Sequence, residues 1–185
     1  MISFFIFILG TLIGSFLNVI ILRLPKNESI LTPRSHCLSC KKKIPFYLNI
    51  PIISYLLLKG KCNQCNSKIS PQYIIVETIT GILFYTLFIN LSTEVDKVIL
   101  LSLIYSCLII ISFIDMHYLL IPSLVIFLLF ILLVPYSFIF NISINKIIWG
   151  GIAITSYLGV STLLVSLLKK EGGILGLGDI LLSLF

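Results

Sequence analysis

Residues 2–22, 73–91, 98–114, 123–140 and 147–168 hold one charged side chain between them, Glu77. Each stretch is about the 17–25 residues a helix needs to cross the hydrocarbon core of a bilayer. About a quarter of a soluble domain is charged, whereas here the charged share is 11% and the hydrophobic share 58%. No stretch alternates apolar and polar residues with period two, which sets a β-barrel aside. The expected fold is all-α: a polytopic transmembrane helix bundle whose partner is the lipid bilayer.

The net charge of +6 does not point to nucleic acid, because the basic residues are concentrated in one loop and two segment ends. Nine of the 13 lysines and arginines fall within residues 23–71, and Lys169 and Lys170 follow the fifth apolar stretch. The positive-inside rule places both regions in the cytoplasm and leaves only Lys97 and Lys146 outside. The first stretch lacks a basic n-region and a small-residue cleavage site, and its first cation, Arg23, comes after it. It reads as a retained span with the N-terminus outside. Within it, Gly10 and Gly14 have the GxxxG spacing that lets helices approach closely, a weak signal in membrane helices.

Three domains follow: residues 1–22 as the first transmembrane helix, 23–72 as a cytoplasmic loop domain, and 73–185 as a transmembrane core. The core would hold spans two to five and the start of a sixth near Asp179. Pro25, Pro33, Pro45, Pro51 and Pro71 argue against a long helix in the loop. Residues 49–58 are apolar but too short to span, so they lie against the membrane or pack on the loop's own small core. Residues 91–97 and 141–146 read as outside turns and residues 115–122 as a cytoplasmic one. Trp149 and Tyr136 suit interfacial anchors. No internal repeat is evident.

This threading places two acids on one side of the membrane. Asp115 ends the third span, and Asp179 follows Gly176-Leu177-Gly178 where the sixth begins. Neighbouring carboxylates do not both ionise readily and share a proton over a wide pH range. Such a pair can polarise a peptide carbonyl with one member and take a proton from water with the other. The glycines would let backbone approach a substrate strand. The simpler alternative is that each aspartate is a helix cap facing water. A proton relay in a transporter is another, although its acids would sit nearer the midplane. Glu77 would either cap its helix or join the carboxylate site. His117, near Asp115, reads as an ordinary interfacial residue.

Cys37-Leu-Ser-Cys40 and Cys62-Asn-Gln-Cys65 are two CxxC knuckles whose four thiolates complete a tetrahedral zinc site. In a reducing compartment disulfides do not persist. Four thiolates leave no open position, so the zinc would be structural. A thioredoxin-like redox pair would need a βαβ pattern that the chain lacks. His36 adjoins the first knuckle, but four cysteines already suffice. Cys107, inside the third span, reads as a small hydrophobe.

These motifs, taken together, resemble the type IV prepilin peptidases, the bifunctional leader peptidase/N-methyltransferases of the GxGD membrane aspartyl protease family. The resemblance rests on Gly14-Ser-Phe-Leu-Asn-Val-Ile, Arg23-Leu-Pro25, both knuckles, Asn49-Ile-Pro51, Leu58-Lys-Gly-Lys-Cys62, Ile69-Ser70, Val76-Glu77 and Gly81. It continues through Asp115 with Ile121-Pro122 and ends on the GxGD motif at Gly176–Asp179. It implies removal of a basic leader, after a glycine, from a prepilin or pseudopilin with an apolar N-terminal helix. It also implies methylation of the new N-terminus from S-adenosylmethionine, in the inner membrane of a bacterium. Asp115 and Asp179 would be the catalytic pair and Cys37, Cys40, Cys62 and Cys65 the metal ligands. No residues are assigned to the methyl donor. Leu38, Gln72, Ile74 and Leu181 depart from the family pattern. Members have about eight spans of bilayer length, so the chain reads as a fragment or a natural truncation. A non-catalytic scaffold is the alternative function, and a proton-coupled transporter a more distant one.

Overall fold

The computed structural model describes residues 1–143 other than Leu38, and residues 145, 146, 148–150, 152 and 156. Most of the expected fifth span (147–168), all of the sixth, and Asp179 with its glycines lie outside the described residues. Two compact units divide the chain, Met1–Tyr118 and Leu119–Phe185. The described residues are mostly helical, with no strand, and three helices are long and apolar enough to cross a membrane.

In the first unit these are α1 (Ile2–Arg23), then, beyond the short helix α2 (Ile53–Leu57), α3 (Gln72–Leu91) and α4 (Val95–Tyr118). α1 packs mainly on α3, and α4 touches both. The buried face of α1 is Gly10, Thr11, Gly14, Leu17, Asn18 and Ile21, the period of one helix stripe. The facing stripe of α3 is Gln72, Val76, Glu77, Thr80, Gly81 and Phe84. Their outer faces are apolar and exposed, as at Phe5, Leu12, Ile75 and Ile79, which suits lipid as the solvent.

At the GxxxG pair the two helices approach too closely for any side chain. A Cβ on Gly14 would stand 2.8 Å from the Glu77 Cα, and one on Gly10 would stand 2.9 Å from the Gly81 Cα. Gly81 answers from the other side, where a Cβ would meet Thr11 Cγ2 at 2.7 Å. Gly14→Leu is therefore expected to separate α1 from α3 at a cost of about 1–3 kcal/mol for overpacking alone. Unfolding in mixed detergent would measure this, and an unchanged midpoint would contradict the close approach.

α4 is longer than the apolar stretch inside it. It begins at Val95, so the turn before it shrinks to residues 92–94, and Glu94 pairs with Lys97 across the first helical turn. It runs on past Asp115 to Tyr118, because nothing breaks a helix before Pro122 and His117 suits the last turn. Ser102, Ser106 and Cys107 are buried on its inner face. The Ser106 hydroxyl donates to the Ser102 carbonyl at 2.7 Å, so the helix satisfies its own polar side chain.

In the second unit, α5 (Ser123–Ile139) has 17 residues and encloses Pro135. That length is at the lower limit for a span.

Residues 24–71 form the module between α1 and α3. Its regular pieces are single turns: Leu24–Lys26, Phe46–Leu48 and α2. The Arg23 guanidinium ties the start of the module together, donating to the carbonyls of Ser29 at 2.9 Å and Pro33 at 2.7 Å.

Candidate functional site

The two knuckles fold alike. In the first, His36 bridges to Lys43, the Cys37 amide donates to the Lys42 carbonyl, and the Lys41 amide returns to the Cys37 carbonyl at 2.8 Å. In the second, Lys61 bridges to Lys68, the Cys62 amide donates to the Ser67 carbonyl, and the Asn66 amide returns to Cys62 at 3.0 Å. The residue after the second cysteine, Lys41 or Asn66, takes φ 55° in each. The matching backbones follow a short repeat in the sequence, CxxCxxKI at Cys37–Ile44 and Cys62–Ile69, which corrects the expectation of no internal repeat; both copies aim two thiols from one turn.

The thiols of Cys37, Cys40, Cys62 and Cys65 lie within 4.8 Å of one another. Cys37 and Cys65 are 3.8 Å apart, Sγ to Sγ. A metal 2.3 Å from four tetrahedral sulfurs sets them about 3.8 Å apart, so the cluster fits a zinc-sized ion. The Nδ1 of His36 lies 3.1 Å from the Arg34 carbonyl, and the ring is no part of the cluster. The thiols are electrostatically unequal. The Cys40 backbone amide, then the Ser67 hydroxyl, lower Cys37 to about 6. The Ser67 side chain likewise lowers Cys65. Cys40 receives the Lys42 amide, but desolvation and the thiols of Cys65 and Cys37 raise it to about 11. A bare cluster does not hold four negative charges, whereas a divalent cation among them removes the conflict. Ser67, 3.1 Å from Cys65 Sγ and 3.6 Å from Cys37 Sγ, is a contributor that the CxxC spacing does not reveal.

Beside the cluster is a cavity of about 800 Å³ between α1, the start of α3 and the module. Cys37 and Cys62 border it on one side, and Ser15, Arg23, Tyr73 and Glu77 on the other. Glu77 is 6% exposed, and its Oε2 accepts the Ile52 backbone amide at 2.7 Å. It therefore does not cap its own helix; it binds the residue that opens α2 and fastens the module to α3. Ile52 needs fastening, because φ 62° and ψ −54° are strained for a β-branched residue. Asn18, buried in α1, donates to the Tyr73 carbonyl at 3.1 Å and joins the two helices at the same level.

Glu77→Leu is expected to strand the Ile52 amide and destabilise this attachment by about 1–3 kcal/mol. Hydrogen exchange at Ile52 should accelerate by one to two orders of magnitude, which is about that energy at a factor of ten per 1.4 kcal/mol. Unchanged exchange would show that Glu77 does not hold the loop.

Asp115 is half-buried in the last turn of α4. An acid at that end opposes the helix dipole and cannot serve as an N-cap. Helix stability therefore does not account for it. His117, two residues on, is exposed. Asp179 lies outside the described residues.

Residues 8–91 match the family model described as the bacterial peptidase A24 N-terminal domain. The chain is similar to a prepilin leader peptidase/N-methyltransferase of Vibrio cholerae, 38% identical over 188 residues, covering 94% of this chain and 71% of the relative. One from Stutzerimonas stutzeri is 33% identical, with 93% and 67% covered. One from Myxococcus xanthus is 40% identical over 118 residues, with 64% of this chain covered and 35% of the relative's length. No solved structure matches.

Proposed function

This chain belongs to the prepilin leader peptidase/N-methyltransferase family, and from that premise we propose that it is a membrane aspartyl endopeptidase. It removes the basic leader from type IV prepilin-like proteins at the cytoplasmic face of the inner membrane. The observation that carries the reading is 38% identity across 94% of the chain to a relative of that name.

Asp115, at the end of α4, and Asp179 form the catalytic pair in this reading. One carboxylate stays protonated and hydrogen-bonds the scissile carbonyl, while the ionised partner takes a proton from the attacking water. Substrate enters laterally, with its apolar N-terminal helix in the bilayer and its basic leader in the cytoplasm. Zinc held by Cys37, Cys40, Cys62 and Cys65 is structural, since the four thiolates leave no position for substrate. The new N-terminus is then methylated, with S-adenosylmethionine supplying the methyl group.

The test is to incubate the chain, in membranes, with a prepilin-like substrate and S-adenosylmethionine and weigh the product. The expected product begins after the leader glycine and carries one added methyl group on its N-terminus. An intact substrate would contradict the peptidase reading, and a cleaved but unmethylated one would contradict the second activity.

A further inference from the structure

α2 has an apolar stripe that its own unit leaves largely exposed. Ile53, Leu56 and Leu57 stand at i, i+3 and i+4, which puts them on one helix face, and they are 54%, 61% and 74% exposed. On the other side, Ser54 is buried and Tyr55 borders the cavity. Three large aliphatic side chains left in water are unfavourable, so something apolar covers them.

Depth says what covers them. Ile52, the residue just before α2, donates to Glu77, which lies five residues inside α3 from Gln72. With the start of α3 taken as the bilayer surface, that is about 7.5 Å down the helix axis, within the roughly 5–10 Å at which interfacial helices lie. At that level of α3 the outward residues are Ile75 and Ile79, both exposed and apolar. Charge adds a second argument. Lys59 and Lys61 follow α2 directly and are exposed, and no carboxylate among the described residues pairs with them. Lysine stems carry an ammonium from an apolar level up to headgroup phosphates.

We propose that α2 rests in the membrane interface, with Ile53, Leu56 and Leu57 at the acyl boundary of an anionic leaflet and Lys59 and Lys61 on its phosphates. The Glu77 carboxylate satisfies the Ile52 amide, which hydrocarbon would otherwise leave unpaired. The module is thereby held down on the bilayer, and the cavity beside it opens at the membrane surface. If the peptidase reading holds, a substrate helix reaches that cavity without leaving the lipid.

The chain's one tryptophan, Trp149, is first replaced by Phe. Leu57→Trp and Asn63→Trp are then made separately in the full, metal-loaded chain. The vesicles are phosphatidylethanolamine and phosphatidylglycerol, with some lipids brominated near the headgroup end of their acyl chains. The indole placed by Leu57→Trp should lose about half its emission to the bromines, as expected for interfacial depth, while that of Asn63→Trp is unaffected. Adding Lys59→Glu and Lys61→Glu should weaken the quenching in these vesicles but not in neutral phosphatidylcholine. Emission shifted to the blue yet insensitive to bromine would mean that a protein surface covers α2, and would overturn the proposal. So would equal quenching at both positions, or quenching indifferent to the lysines. No substrate is present, so this result and that of the cleavage assay stand or fall separately.

Discussion

Asp115→Asn is expected to abolish leader removal, lowering the cleavage rate by about 10²–10⁴-fold, the range that a positioned acid or base contributes. The substitution keeps the shape of the side chain and removes only its ability to exchange a proton. α4 should fold as before, because Asp115 stabilises neither its own helix end nor, among the described residues, any partner. Asp179→Asn should do the same damage. The double variant should be little worse than either single one, since residues acting as a unit lose their effect together. Rates of processing of a co-expressed prepilin, at equal protein level in the membrane, measure all three. Activity within a few-fold of the parent in either single variant would make that aspartate a bystander.

The second large effect concerns the metal. Cys40→Ser or Cys62→Ser, or a chelator, is expected to unfold both knuckles while α1 and α3 stay packed. Apart from the cysteines and Ser67, the described residues of 36–43 and 61–68 are held by two single-residue bridges and a few turn hydrogen bonds. Among the described residues, no strand and no buried apolar side chain of their own holds them. A structural zinc site of this kind is worth roughly 10–16 kcal/mol of apparent binding energy, which becomes folding energy where the metal-free form has no structure. The α1–α3 contact depends on Gly10, Gly14 and Gly81 and on the Asn18–Tyr73 hydrogen bond, none of which involves the cluster. Backbone exchange should therefore become fast at Cys37 and Cys62 and stay slow at Leu17 and Val76. Metal content by mass spectrometry should fall in step. Persistent protection of the knuckles without metal would show that the turns fold by themselves.

Much of this was legible in the sequence because lipid and metal impose simple demands. Helices α1 and α3 begin and end within a residue of the apolar stretches, since a span must satisfy its own backbone hydrogen bonds. The ends of α4 were harder to read. Lys97 and Asp115 end the apolar stretch without ending the helix. The knuckles announce themselves through thiol spacing, and the repeated CxxCxxKI at Cys37–Ile44 and Cys62–Ile69 foretells their matching folds. The left-handed positions fall on Lys41 and Asn66, where no glycine marks them. Glu77 was ambiguous for a related reason. Its partner is a backbone amide 25 residues away, on an isoleucine whose strained conformation no propensity foretells. The GxxxG pair, weak as a pattern, sits at a close approach of two helices, because its significance lies in what faces it, Gly81 and Glu77 on α3. The carboxylate pair is the part that sequence alone carries, through the shared side of the membrane assigned to its members.

That pair can be probed directly. In a metal-loaded chain with Cys107→Ser, Asp115→Cys and Asp179→Cys are introduced together, and a short thiol-specific crosslinker is added to membranes. The expected result is efficient crosslinking between the two positions, as for carboxylates close enough to hold one water between them. Separate labelling of the two cysteines from opposite sides of the bilayer, with no crosslink, would contradict the account.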